Sequence, residues 1–193
     1  DQLPEMYYRT KVLQNSLSDI IVVNREMTED GISELSKDIK DLILIYKEVI
    51  IDDIGGAFKA TNHLIEIGAK RIALITTQDF ITVGSLRKEG YLKALNNQGI
   101  KVDESLIYKI DDKENLHDQI KMVINVANPP DAILAVNEIY AAIVLKIAQE
   151  KGLSIPKDIA IIGFTSGLIS EFTSPPLTSV VQHGYLMGKQ AAE

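Results

Sequence analysis

Residues 48–77 read EVIIDDIGGAFKATNHLIEIGAKRIALITT. Val49 to Ile51 is a short apolar run and Asp52 to Gly56 is turn chemistry. Ala57, Ala60, Thr61, Leu64 and Ile67 then recur at the three-and-four spacing of one helical face. Gly68 follows the last periodic residue, where a helix ending in a left-handed C′ position favours glycine. Ile72 to Ile75 is an unbroken apolar run, which suits a strand buried on both faces. Strand, turn, helix and strand make a βαβ unit, so the spacing predicts a parallel sheet.

The alternation continues down the chain. After Ile72–Ile75 comes the polar Thr76 to Ser85, with Ser85 read as the N-cap of a helix whose Leu86, Gly90, Tyr91, Ala94 and Leu95 share a face. Gly99 ends that helix, and a strand is expected at Leu106 to Ile110. A helix carrying Leu116, Ile120, Val123 and Ile124 is stopped by Pro129 and Pro130. Ala132 to Val136 reads as a buried strand, followed by a helix with Ala142, Ile143 and Ile147 that ends at Gly152. Ile159 to Gly163 and Leu177 to Val181 read as further strands, and Gly184 begins a last helix. Such a series predicts a doubly wound α/β sheet with helices on both faces. Upstream, residues 1–47 offer a strand at Ile20 to Val23, a polar helix from Glu29 to Lys40 and an apolar stretch at Leu42 to Tyr46. This region has the look of a piece of a longer sequence.

Composition narrows the function. The 193 residues are 46% apolar and 24% charged, enough to bury a core, and they contain no cysteine, hence no disulfide or thiolate metal site. No run long enough to span a membrane and no signal-peptide pattern occurs, which fits a cytoplasmic protein. The three histidines, His63, His117 and His183, lie far apart with no metal-binding spacing, so no metal or other cofactor is expected. Net charge is −7, and the chain's few arginines and its lysines form no stripe, so these residues are not expected to contact DNA themselves.

Ligands of doubly wound sheets bind outside the carboxyl ends of the strands. Those ends hold Asp52, Asp53, Thr76 to Thr82, Asp111, Asp112, Asn137, Glu138, Thr165 and Ser166. They make either a binding rim or merely the polar loops that any fold carries. Gly55-Gly56 invites a phosphate-cradle reading, but without Gly-Lys-Ser/Thr or GxGxxG a close helix–strand approach explains it better. Gly163-Phe-Thr-Ser-Gly167 fails as a nucleophile elbow because serine stands fourth instead of third, which argues against a hydrolase. Arg87, at the start of a helix after a polar loop, presents a planar five-donor fork to this edge. It is either a ligand contact or a solvated surface arginine.

Further motifs occur in order: Gly55 to Thr76 (GGAFKATNHLIEIGAKRIALIT), Arg87-Lys-Glu-Gly90-Tyr91 with Ala94-Leu95, Gly99-Ile100, Pro130-Asp131-Ala-Ile-Leu-Ala-Val-Asn137, Ile155 to Phe164 (IPKDIAIIGF) and Pro175 to Gln182 (PPLTSVVQ). Together they resemble LacI/GalR-type transcriptional regulators. The resemblance covers residues 48 to about 188 and implies a two-lobed, periplasmic-binding-protein-like core. In it residues 48–182 are the second lobe, and residues 1–47 with 183–193 are part of an incomplete first lobe. It further implies a small polar effector, a sugar or derivative, bound between the lobes, a homodimer, and operator DNA read by a helix-turn-helix headpiece that these residues do not include.

Carried over by position, Arg87 matches the family's effector-contacting arginine and Asn137 the start of its Asn-Asp strand end. Glu138 replaces the usual aspartate, Thr165 stands where an aspartate is common, and His183 replaces a proline. Ile81, Val83 and Asp112 fall at further pocket-lining positions. Truncating Arg87 is expected to abolish or greatly weaken effector binding and leave the fold intact. A periplasmic sugar-binding protein of a transporter is the competing reading, and an enzyme has only the failed elbow in its favour.

Overall fold

A computed structural model describes residues 51–111, 115–165 and 169–192. The expected elements at Ile20 to Val23, Glu29 to Lys40, Leu42 to Tyr46 and most of Val49 to Ile51 lie outside these residues. Within them the chain runs α1 (Asp53–Glu66), β1 (Ile72–Thr77), α2 (Thr82–Asn97), a 3-10 turn at Glu104–Leu106, and β2 (Ile107–Ile110). It continues with α3 (Leu116–Ile124), β3 (Ala132–Ala135), α4 (Glu138–Glu150), β4 (Ala160–Thr165), α5 (Ile169–Phe172), β5 (Thr178–Val181) and α6 (Gly184–Ala192). Asp52–Gln182 makes one compact unit, and α6 lies outside it.

The five strands are parallel and ordered β2-β1-β3-β4-β5. Ile75 pairs with Ala135, Ala135 with Gly163 and Thr165 with Val181. β3 and β4 are buried along their whole length, as the unbroken apolar runs require of strands covered on both faces. From β1 the chain moves outward to β2, and from β3 it moves the other way to β4. Right-handed crossovers then put α2 on one face and α4 on the other. Helix α1 packs on α2, and α3 on α4. The order reverses between β1 and β3, and the carboxyl ends of those two strands flank the switch point of the sheet.

Local chemistry sets the helix limits, and in two places it differs from the expected reading. The stretch Asp52 to Gly56 is not a free turn. Asp52 caps α1, its Oδ1 accepting from Gly55 N at 2.7 Å while its carbonyl accepts from Gly56 N at 2.8 Å, so both glycines lie in the first turn of the helix. Their N–H groups are thereby occupied, so the glycine pair offers no donor to a phosphate. Likewise α2 begins at Thr82, not after Ser85. Ile81 N closes onto Gln78 O at 3.0 Å, the chain enters the helix there, and the Ser85 hydroxyl reaches back to donate to Asp79 O at 2.9 Å.

The buried face of α2 therefore runs Gly84, Arg87, Gly90, Tyr91, Ala94 and Leu95, with Arg87 in the place expected for Leu86. Gly90 is required at the α1–α2 crossing, where an added Cβ would meet Ile54 O and come within 2.8 Å of Ala57 Cβ. Gly68 takes φ 94 after α1, the left-handed value that the sequence predicts for it.

Candidate functional site

Arg87 decides the geometry of the carboxyl edge. Because α2 starts early, Arg87 is a turn inside the helix and faces the sheet, with 2% of its surface exposed. Its Nε and Nη2 both donate to Asp53 Oδ1, at 2.8 and 2.7 Å. Its Nη1 donates to the Val136 carbonyl at the end of β3. The guanidinium carbon sits 3.8 Å from the centre of the Phe164 ring, a cation–π contact from β4. One arginine thus ties α2 to the first turn of α1 and to β3 and β4 beyond the switch point.

Burial favours the neutral form and pushes the Arg87 pKa below its ordinary value, against the charge and hydrogen bonds of Asp53, which raise it. The guanidinium stays charged, because an arginine has pKa to spare. Neither expected role describes this geometry fully. Arg87 is no solvated surface residue, and it does not stand free at the edge with the fold indifferent to it. Its truncation would leave the buried Asp53 carboxylate without its partner, so a loss of stability is expected in place of an indifferent fold. Asp53, Val136 and Phe164 were not singled out as its partners from the sequence. The available signal was that a buried arginine needs a carboxylate, and Asp53 stands at the same edge.

The other candidates gather around this pair. Asn137 caps α4, its Oδ1 accepting from Tyr140 N at 2.8 Å, so its side chain is partly spoken for by the fold. Glu138 opens α4 and accepts a hydrogen bond from the buried hydroxyl of Thr165, at the end of β4. The longer glutamate reaches the shorter threonine, so the two departures from the family pattern are complementary. Ile81 and Val83 flank the start of α2 and Val83 is exposed, as is Phe80, at 83%. Asp112 lies outside the described residues.

At the rim Asp79 pairs with Lys109, whose hydrogen bond holds the Asp79 carboxyl below its ordinary pKa. The Gln119 side-chain amide clamps the backbone of Asp111, accepting from its N at 3.0 Å and donating to its carbonyl at 2.8 Å. Two cavities of about 210 and 420 Å³ lie at the opposite, amino ends of the strands, by Arg71 and Ile72 and by Ala160 and Thr178. We place the candidate site at the carboxyl edge despite them, because the convergent polar groups and the switch point are there. His183 takes φ 48, a left-handed value closed to the proline usual in the family pattern.

Among the described residues no cluster of three or more His, Asp or Glu side chains could hold a metal, and no helix is long and apolar enough to cross a membrane.

Residues 61–193 match the model of the periplasmic binding protein-like domain. The chain is 33% identical over 143 residues to the HTH-type transcriptional regulator DegA of Bacillus subtilis, a match covering 74% of this chain and 42% of that protein. It is 34% identical over 144 residues to the HTH-type transcriptional repressor CytR of Escherichia coli K12, with the same coverage of 74% and 42%. Among solved structures, the transcriptional regulator CelR–cellobiose complex superposes with a TM-score of 0.68 at 33% identity, over 74% of this chain and 44% of that one. The chain spans less than half the length of each of these relatives. It belongs to the periplasmic binding protein-like domain family, in the form carried by LacI-type transcriptional regulators.

Proposed function

We propose that this chain is the ligand-sensing core of a LacI-type regulator and binds a small polar effector, a sugar or derivative, at the carboxyl edge of the Asp52–Gln182 sheet. The observation that carries the reading is the Arg87 fork, held at the switch point between β1 and β3 by Asp53 and the Val136 carbonyl. Its Nη1 and Nη2 each have one N–H beyond those three bonds, enough to bind a hydroxyl or carbonyl oxygen. Asn137, Glu138 and Thr165 contribute further polar atoms, Ile81 and Val83 an apolar flank, and Asp112 belongs to the same proposed set. The CelR relative, whose structure is a cellobiose complex, supports a carbohydrate as the kind of ligand.

In this reading residues 48–182 are the second lobe, and residues 1–47 with 183–193 are portions of the first. The whole regulator in this reading is a cytoplasmic homodimer; the relatives' names, HTH-type transcriptional regulator and repressor, support operator DNA being read by a helix-turn-helix headpiece. Exposed apolar side chains on neighbouring helices, Ile139 on α4 and Phe172 on α5, support pairing through that surface. The named relatives are regulators, so the reading assigns no catalytic residue.

The test is a thermal-shift panel of sugars, glycosides and nucleosides followed by calorimetry. A ligand at a hundredfold its Kd adds about 2.7 kcal/mol, a rise in Tm of roughly 5–10 °C for this size. A panel that moves nothing would reject the reading.

A further inference from the structure

We propose that Asp53 sets the charge class of the effector: by neutralising Arg87 it makes the site select an uncharged ligand over its phosphorylated or carboxylated counterpart. The inference rests on the effector reading above and narrows it.

An arginine in a binding site is ordinarily an anion receptor, because its fork matches phosphate and carboxylate geometry. Here that capacity is already taken. Nε and Nη2 converge on one carboxylate oxygen of Asp53, whose side chain is 9% exposed, and Phe164 covers the guanidinium face. What remains at the tip is N–H donors without net charge behind them, which suits a hydroxyl or carbonyl.

The surrounding edge acts in the same direction. Asp79 is balanced by Lys109, with Lys88 near it, while the starts of α1 and α4 add Asp52 and Glu138. The described edge is therefore net negative. The helix amino ends there oppose this only weakly. Those of α1 and α4 are capped by Asp52 and Asn137 and carry Asp53 and Glu138 in their first turns. That of α2 has no side-chain cap, but a helix end contributes only about half a charge, less than one carboxylate. A dianionic phosphate would thus enter a field of its own sign and find the only cation buried among the described residues already paired.

The experiment uses the full 193-residue chain with probe pairs that differ by one phosphate: glucose and glucose 6-phosphate, ribose and ribose 5-phosphate, adenosine and adenosine 5′-monophosphate. Calorimetry is run on the wild type, Asp53→Asn and Asp79→Asn. Asparagine retains an oxygen to accept from Arg87 while removing the charge, so Asp53→Asn tests neutralisation apart from geometry. Asp79→Asn removes the same charge from the exposed rim.

In the wild type the uncharged member of a binding pair is expected to bind at least roughly tenfold tighter. Asp53→Asn should narrow that ratio by about tenfold and Asp79→Asn far less, since rim charges are screened. A wild type that prefers the phosphorylated member, or a ratio that Asp53→Asn leaves unchanged, would overturn the inference and leave the effector reading standing. Equal narrowing by Asp79→Asn would overturn it too, assigning selectivity to the general field. If no probe of either class binds, the effector reading falls and this inference with it.

Should Asp53→Asn fail to fold, the wild-type ratio is measured at low and high salt. Repulsion is screened as the Debye length falls from about 10 Å at 0.1 M to 3 Å at 1 M. A ratio that persists at high salt supports the inference, because a buried pair is screened far less than rim charges, and one that collapses assigns the selectivity to the exposed field and overturns it.

Discussion

Arg87 and Asp53 form a buried ion pair across two helices, with Nε and Nη2 of the arginine sharing Asp53 Oδ1 at 2.8 and 2.7 Å. The pair bridges residues 34 apart in sequence and sits where the sheet changes direction. It fastens α1 to α2.

Breaking such a pair from one side leaves an uncompensated buried charge. Arg87→Ala should therefore cost about 3–5 kcal/mol of folding stability, measured by urea denaturation with and without a ligand. Arg87→Lys should recover only part, because a point charge cannot serve Asp53 and the Val136 carbonyl together. The double variant with Asp53→Ala should lose less than the sum of the single losses. A wild-type midpoint for Arg87→Ala would show that the pair does not hold the two helices.

Tyr91 gives the fold an alkaline limit. Its hydroxyl donates to the Ile72 carbonyl at 2.9 Å, and burial, reinforced by the charges of Asp103 and Glu104, pushes its pKa up to about 12. The folded state holds this proton more tightly than the unfolded chain, whose tyrosine titrates near 10. The stabilisation is complete below pH 10 and is lost as pH rises toward 12, on the order of 2 kcal/mol in all. Tyr91→Phe should lack that component of the pH profile, while losing roughly 1 kcal/mol at neutral pH with the hydrogen bond.

Restoring the family's aspartate at position 165 should do harm here. Thr165 is buried and donates to Glu138, so Thr165→Asp would set two carboxylates against each other. One of them would have a raised pKa, which destabilises the folded state above that pKa and spares it below. The expected loss is about 1–3 kcal/mol at pH 7 and less at pH 5, read from denaturation at both. Equal losses at the two pH values would mean that steric misfit, not charge, governs the site. The companion variant Glu138→Gln should relieve the loss.

If the regulator pairs through α4 and α5, charge on that surface should separate the copies. Phe172 is 82% exposed, so Phe172→Asp should leave the melting temperature of the monomer nearly unchanged. Sedimentation at micromolar concentration should show the wild type self-associating and Phe172→Asp with Ile139→Asp shifted toward monomer by tenfold or more. Association that survives both changes would place the interface elsewhere.

The alternation of strand and helix and the parallel sheet were legible in the sequence. The reason is that they depend on local period and burial: Ile72–Ile75 and Ala132–Ala135 are short apolar runs bounded by turn residues, which suits strands covered on both faces. Gly68 was legible too, because only a left-handed residue ends α1 as it does.

What tertiary structure alone decided is which side chains meet. Periodicity said nothing of Arg87 occupying the place expected for Leu86, because a charge inside a helical face is tolerated only when a partner elsewhere in the fold offsets its desolvation. That partner, Asp53, is 34 residues away, and the Val136 carbonyl is 49 residues away on the other side. Strand order, set by the direction of successive crossovers, placed β3 beside β1 and so brought them to one point.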